Sequence, residues 1–265
     1  MEHPTQNVKG LNMKKMKGII LAGGSGSRLH PLTVAVNKHL LPVGDKPMVM
    51  RCLEKLTEAG ITEIAIVTNP EYVSNFSALL KSGSDYGCDI TYKVQDKAGG
   101  IAEALELCEN FVGGDNCTVL LGDNIFEESL VEHVETFNKD CKLFFKHVPD
   151  GHRYGVACFE EGVGLYEILE KPSDATSAFA AVGIYIYSSE VFDLIKKVKP
   201  SDRGEREITS VNNMFLHSKY KYTYDFLDGW WTDAGTMETY IRANELVREN
   251  YPKYSDKMQT STQEK

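Results

Sequence analysis

The sequence lacks the long apolar run that a membrane span requires. Its apolar runs, such as Ile19–Leu21 and Val119–Leu121, are strand-sized, far short of the ~20 residues that cross a bilayer. The stretch from Met1 to Lys17 is polar and has no apolar signal-peptide centre. Positive charge is also in deficit: 29 Lys and Arg against 38 Asp and Glu leave a net charge of −9. A general binder of nucleic acid or membrane needs a broad basic face, so neither is expected as a partner. Small anions need only a few well-placed cations and stay open. Paired cysteines are missing too. Cys52, Cys88, Cys108, Cys117, Cys141 and Cys158 are scattered without a C-x-x-C spacing, and read as reduced thiols of a cytoplasmic protein. The seven histidines show no metal-ligand spacing, and no H-E-x-x-H, nucleophile elbow or Cys–His arrangement occurs.

What is present is an ordinary globular composition: 42% hydrophobic and 25% charged over 265 residues. A chain of this size can bury roughly three quarters of the surface that its unfolded form exposes. Residues 1–16 carry no period and read as a flexible leader, and 251–265 as a disordered tail. Between them, short apolar runs predict strands at Gly18–Leu21, Glu63–Thr68, Asp89–Val94, Thr118–Leu121, Lys142–His147, Gly155–Phe159, Leu165–Leu169, Ala180–Tyr187 and Tyr220–Phe226. Longer amphipathic runs predict helices at Met48–Glu58, Tyr72–Leu80, Ile101–Phe111, Leu130–Asn138, Ser189–Lys196, Ile208–His217 and Thr236–Asn250. Strands alternating with helices imply right-handed crossovers, hence an α/β fold whose mixed sheet is mostly parallel. The Glu160–Val163 turn between two strand patterns predicts an inserted hairpin. In such sheets ligands sit beyond the carboxyl ends of the strands, which directs attention to the residues just after each strand.

The first strand runs into Leu21-Ala22-Gly23-Gly24-Ser25-Gly26-Ser27-Arg28-Leu29. Glycines here let the backbone approach a ligand closely, and their N–H groups can cradle phosphate oxygens. The loop is neither a Walker loop nor the dinucleotide fingerprint, and alone it could be a tight strand–helix turn. Arg28 and Lys38, just past it, add the charge to hold a triphosphate, one as a bidentate fork and the other as a point charge.

Gly23 to Thr33, then Lys38-His39-Leu40-Leu41-Pro42-Val43 and Lys46-Pro47-Met48, resemble the signature of sugar-nucleotide pyrophosphorylases, and within them the glucose-1-phosphate thymidylyltransferases. The resemblance continues through Leu121-Gly122-Asp123-Asn124, Arg153-Tyr154-Gly155-Val156, Glu170-Lys171-Pro172, Arg203 to Thr209 and Trp231 to Thr236. It implies a three-layer Rossmann-like nucleotidyltransferase fold over a single domain, 17–250. It also implies the substrates dTTP and glucose 1-phosphate, with Mg²⁺ as cofactor. Arg28, Lys38, Asp123 and Asp233 would then be catalytic, with Asp123 and Asp233 the metal pair. Either Asp alone would read as a cap, and their sequence separation gives no geometry. Leu21, Gly23, Gly24, Ser25, Gly26 and Ser27 would hold the nucleotide. Gln95 would read the pyrimidine ring, its amide matching the N3–H and carbonyl edge of thymine or uracil, and Gly100 would leave room for the base. Tyr154, Gly155, Glu170, Lys171 and Val182 would line the sugar-phosphate side. Asn124 and Trp231 are weaker candidates, Trp231 being equally readable as core or as a pocket wall.

Several positions depart from the family pattern: Glu103 stands for Gln, Leu169 for Glu, Val182 for Thr, Arg206 for Leu, and Asp96-Lys97-Ala98-Gly99 for a Pro-containing loop. None removes a charge needed for phosphoryl transfer. Three readings stand: the thymidylyl transfer, the same transfer with UTP or another hexose 1-phosphate, and a catalytically silent sugar-nucleotide-binding subunit. Since the sequence ends soon after Asn250, the extra helical segment of longer thymidylyltransferases and its regulatory site are not expected. A homo-oligomer stays open.

Overall fold

The computed structural model of the chain describes residues 14–24, 26–176 and 178–250. The expected tail at 251–265, and the leader up to residue 13, lie outside the described residues. The leader is shorter than expected: strand β1 (Met16–Leu21) already begins at Met16, which pairs with Asn116. Asn116 N–H donates to Lys15 O at 2.9 Å, which ties the chain down one residue earlier still.

β1 lies in the middle of the sheet, and its side chains are buried on both faces. Ile19 and Leu21 enter one core and Ile20 the other, which is why the strand reads as a continuous apolar run rather than an alternation. Two two-residue strands, β2 (Pro42–Val43) and β3 (Lys46–Pro47), lead into α1 (Met48–Glu58). That helix buries Met48, Val49, Cys52, Leu53 and Leu56, a single apolar stripe. It stops at Gly60, whose φ of +75° suits a residue without a Cβ. Next come β4 (Glu63–Thr68), α2 (Val73–Leu80), β5 (Asp89–Val94), α3 (Ile101–Glu106), α4 (Glu109–Val112), β6 (Asn116–Leu121) and β7 (Asn124–Phe126). After α5 (Val131–Glu135) follow β8 (Cys141–Val148), β9 (Gly155–Glu160), β10 (Gly164–Glu170) and β11 (Ala178–Tyr187). The chain then forms α6 (Val191–Ile195), α7 (Ile208–Leu216), β12 (Tyr222–Phe226), β13 (Trp231–Asp233) and α8 (Met237–Asn250).

Nine strands form one mixed sheet in the order β10-β9-β11-β6-β1-β4-β5, with β8 paired to β11 and β12 paired to β8. The β6-β1-β4-β5 block is parallel, and β11 joins it antiparallel. The expected hairpin is β9–β10, antiparallel from Gly155↔Glu170 to Glu160↔Gly164. α1 and α2 cover one face; α3, α4, α6 and α7 cover the other. The result is a three-layer α/β fold. Two expected helices are interrupted or shortened. Ile101–Phe111 divides where Cys108 N–H bonds to Leu105 O, three residues back, instead of four. Leu130–Asn138 ends at Glu135, where the Thr136 hydroxyl and N–H both turn back onto Glu132 O. Among the described residues no helix is long and apolar enough to cross a membrane. Cys52, Cys88, Cys108, Cys117 and Cys141 are buried free thiols, and Cys158 is half-buried.

Candidate active site

A cavity of ≈ 380 Å³ opens at the carboxyl ends of β1 and β6 and along the middle of β11, which runs antiparallel to β6. The turn after β1 forms its floor. Leu21, Gly23 and Gly24 line it, whereas Gly26 and Ser27 are not among its lining residues, and Ser25 lies outside the described residues. Gly23 lets the Gln95 amide lie close: a Cβ there would stand 3.0 Å from Gln95 Oε1 and press on it. Gly24, at φ +98°, turns the chain beneath the cavity. Gln95, buried at the end of β5, sets its amide Nε2 3.5 Å from Gly100 O. The two residues expected at the base therefore meet. Gly100 also lines the cavity, but the direction a Cβ would take there points at Arg206. Its missing Cβ would lie 2.5 Å from Arg206 O and 2.8 Å from Arg206 N, so the close neighbour is backbone.

Arg28 and Lys38 both reach the cavity. Lys38 opens a short turn that Asn37 ties to β1: Asn37 Nδ2 donates to Ala22 O at 3.1 Å, and its Oδ1 accepts from His39 N–H at 2.9 Å. Lys38 Nζ stands 2.5 Å from Asp123 Oδ2. Asp123 follows β6, and Gly122 N–H donates to Leu21 O at 2.9 Å, which keeps that strand end level with the glycine loop. Burial alone would raise the Asp123 pKa, but the Lys38 ammonium outweighs it and holds the carboxyl well below the usual carboxylate range.

The ribbon β7–β13 brings in the second carboxylate, pairing Asp233 with Asn124, next to Asp123. Gly235 gives the geometry. A Cβ there would stand 3.1 Å from Asp233 Oδ2, 3.5 Å from Asp123 Oδ2 and 3.7 Å from Arg28 Nη2. Two acids and one arginine thus face one small gap. Asp233 is pushed up in pKa by burial and by Asp123 beside it. Arg153 holds it with Nη2 at 2.8 and 3.1 Å from the two oxygens, and Tyr154 OH donates to Oδ1 at 2.8 Å.

On the far side, Tyr154, Gly155, Glu170 and Lys171 line the cavity as expected. Glu170 accepts from Thr209 Oγ1 at 2.5 Å and Arg203 Nη2 at 3.0 Å. Lys171 turns the chain out of β10 at φ +47°, a left-handed backbone rare outside glycine. Val182 is a correction. Fully buried among the sheet's core residues, it faces away from the cavity, and its neighbours Ala181 and Gly183 line it instead. Side chains alternate along β11, so one position decides the face.

Sequence reasoning missed Arg153, although it stands beside Tyr154 in a matched motif, and missed Thr209 and Glu205 on the cavity wall. Asn124, a weak candidate, proves central. Its Nδ2 donates to Asp123 Oδ1 at 3.0 Å, and its Oδ1 accepts from Gly183 N–H at 2.9 Å and from Trp231 Nε1 at 2.8 Å. Trp231 is a cavity wall.

His39 packs under the site, its Nδ1–H donating to Asn37 Oδ1 at 2.8 Å. Burial, reinforced by Lys38, pulls its pKa from 6.5 down to about 3. The unfolded chain takes up a proton near pH 6.5 that the folded chain refuses. The contribution of neutral His39 is therefore intact above pH 6.5 and falls by about 1.4 kcal/mol per pH unit below it. Urea midpoints at pH 7 and pH 5 should show a smaller pH-dependent loss for His39→Gln than for the wild type.

The nucleotidyl transferase family profile matches residues 17–250. A glucose-1-phosphate thymidylyltransferase of Neisseria meningitidis is 40% identical over 238 residues, covering 88% of this chain and 83% of that protein. The low-salt glycan biosynthesis nucleotidyltransferase of Haloferax volcanii is 38% identical, over 89% of this chain and 67% of its own length. Among solved structures, a Bacillus anthracis chain described as a candidate glucose-1-phosphate thymidylyltransferase, in complex with a sucrose, superposes with a TM-score of 0.83. It is 49% identical and is matched over 89% of this chain and 96% of its own. A UDP-glucose pyrophosphorylase with UDP-glucose gives a TM-score of 0.75 at 28% identity, over 90% of this chain and 100% of its own. The convergence of two carboxylates and two cations on a strand-end cavity thus sits in a chain that belongs to the nucleotidyl transferase family, an enzyme of that class.

Proposed function

We propose that the enzyme transfers a thymidylyl group from dTTP to α-D-glucose 1-phosphate, giving dTDP-glucose and pyrophosphate. A phosphate oxygen of the sugar attacks the α-phosphorus in line, and the bond to the β-phosphate oxygen breaks as pyrophosphate leaves. Two polyanions meet in this step, so positive charge must stand where they touch. In this reading Arg28 takes the departing pyrophosphate and Lys38 the α-phosphate. Lys171 takes the sugar phosphate, Glu170 and Tyr154 the sugar, and Gln95 the pyrimidine edge. The observation that carries this reading is the gap beside Gly235, faced by Asp123, Asp233 and Arg28.

The same gap suits Mg²⁺. That ion is commonly bound by one or two carboxylates completed by water and substrate phosphates, and here two carboxylates face a space that a single Cβ would encroach on. Bound there, Mg²⁺ supplies positive charge against the phosphates. The chain's own contribution is to hold the two acids: Asn124 and Lys38 on Asp123, Arg153 and Tyr154 on Asp233.

UTP is the second reading, because the uracil edge offers Gln95 the same donor and acceptor as thymine. Initial rates of pyrophosphate release over a matrix of dTTP, UTP and CTP against several hexose 1-phosphates decide between them. The highest kcat/KM is expected for dTTP with glucose 1-phosphate, and no turnover of that pair would overturn the proposal.

A further inference from the structure

Two of the departures from the family pattern, Glu103 and Arg206, lie 103 residues apart in the chain and meet in the fold. Arg206 Nη2 stands 2.5 Å from Glu106 Oε2 and 3.9 Å from Glu103 Oε2, on successive turns of α3, and its side chain is only 19% exposed. The backbone of the same residue clamps the base-side rim of the cavity. Arg206 N–H donates to Gly99 O at 2.8 Å, and its carbonyl accepts from Ala102 N–H at 3.2 Å. Gly100, between those two bonds, lies so close to Arg206 that no Cβ fits. On either side of Arg206, Glu205 and Ile208 line the cavity, and Thr209 holds Glu170. A segment of five residues thus spans the opening from the nucleotide side to the sugar side, and its one charged tether to α3 is the Arg206 guanidinium.

We infer that Arg206 is a positioning residue that ties the base-side rim to the sugar-side wall, so that the nucleotide and sugar-phosphate subsites are held in one fixed relation. The inference rests on the substrate reading above and adds to it a chain-specific device. Arg206 touches neither substrate. It acts through Gly99–Gly100 on one side and Thr209–Glu170 on the other. A guanidinium facing two carboxylates of one short helix adds a charged tether to the backbone and side-chain bonds that already hold the segment.

The test compares Arg206→Leu, Arg206→Lys and, as a control with an equally charged but remote pair, Lys196→Gln, which breaks only the surface contact to Glu109. Arg206→Leu is expected to raise the KM of both substrates about tenfold with kcat within about threefold of wild type. Amide exchange across residues 98–106 should speed up about tenfold. Arg206→Lys should recover most of both effects, and Lys196→Gln should show neither. Unchanged KM values in Arg206→Leu, a loss confined to kcat, or a lysine variant no better than leucine would overturn the inference. Failure of the substrate reading would look different: wild-type enzyme would turn over none of the pyrimidine nucleotides, while the exchange measurement would still decide whether Arg206 tethers the rim.

Discussion

Replacing Asp123 by Asn is expected to reduce turnover by about a thousandfold or more, equivalent to about 4 kcal/mol of transition-state stabilisation. Asp123 accepts on both oxygens, from Asn124 Nδ2 on Oδ1 and from Lys38 Nζ on Oδ2. An amide keeps one acceptor and turns the other position into a donor facing the Lys38 ammonium. Removing the charge also leaves Lys38 without its partner and the gap at Gly235 with a single carboxylate. The cost to stability is at most about 3–5 kcal/mol, the range for breaking a buried pair, and less where Lys38 turns toward cavity water. Rates at 25 °C as a function of Mg²⁺, alongside thermal unfolding by circular dichroism, separate the two effects. A folded Asp123→Asn enzyme with wild-type turnover would refute the role of this carboxylate.

Gly183→Ala is expected to damage stability and activity together. Its Cβ would stand 2.6 Å from Asn124 Nδ2, 2.6 Å from Leu121 Cγ and 2.7 Å from Leu121 Cβ, in the middle of a buried strand. Neither neighbour has room to withdraw. Leu121 lies in β6 beside β1 and β11, and Asn124 is pinned by Trp231 and Asp123. Overpacking of this kind costs about 1–3 kcal/mol, or about 3–10 °C in melting temperature for a domain of this size. Because Asn124 orients Asp123, kcat should fall at least about tenfold at temperatures where the variant remains fully folded. A variant that melts lower but turns over normally would show that Asn124 does not set the carboxylate.

Much of the fold was legible because the signals were local. The stripe Met48, Val49, Cys52, Leu53, Leu56 marks α1 to the residue, and the alternation of short apolar runs with helical ones gives the α/β class. The sites that escaped depend on distant partners. β7 and β13 are three residues each, too short for any period, yet their pairing is what puts Asp233 beside Asp123. Resemblance alone supplied that pairing. β11 is apolar for most of its length and largely buried, so nothing in its sequence says which residues face the cavity, and Val182 was assigned to the wrong face. That Gly100 also packs against Arg206 could not be read, because a glycine's neighbour across the chain leaves no mark in its own segment. Arg153 went unassigned for the same reason: its partner Asp233 lies 80 residues away.

The late position of β13 bears on how the enzyme is made. The parallel block of β1, β4, β5 and β6, with its glycine loop, Arg28, Lys38, Gln95 and Asp123, is complete within the first half of the chain. A growing polypeptide therefore contains that block, with Asp123, long before Asp233 leaves the ribosome. Without Asp233 that block has one of the two carboxylates, and Arg153 keeps only its ion pair with Asp150. A product of premature termination before Trp231 would lack the β7–β13 pairing that sets Asp233 beside Asp123. The two carboxylates come together only once β13, the last strand among the described residues, has been synthesised.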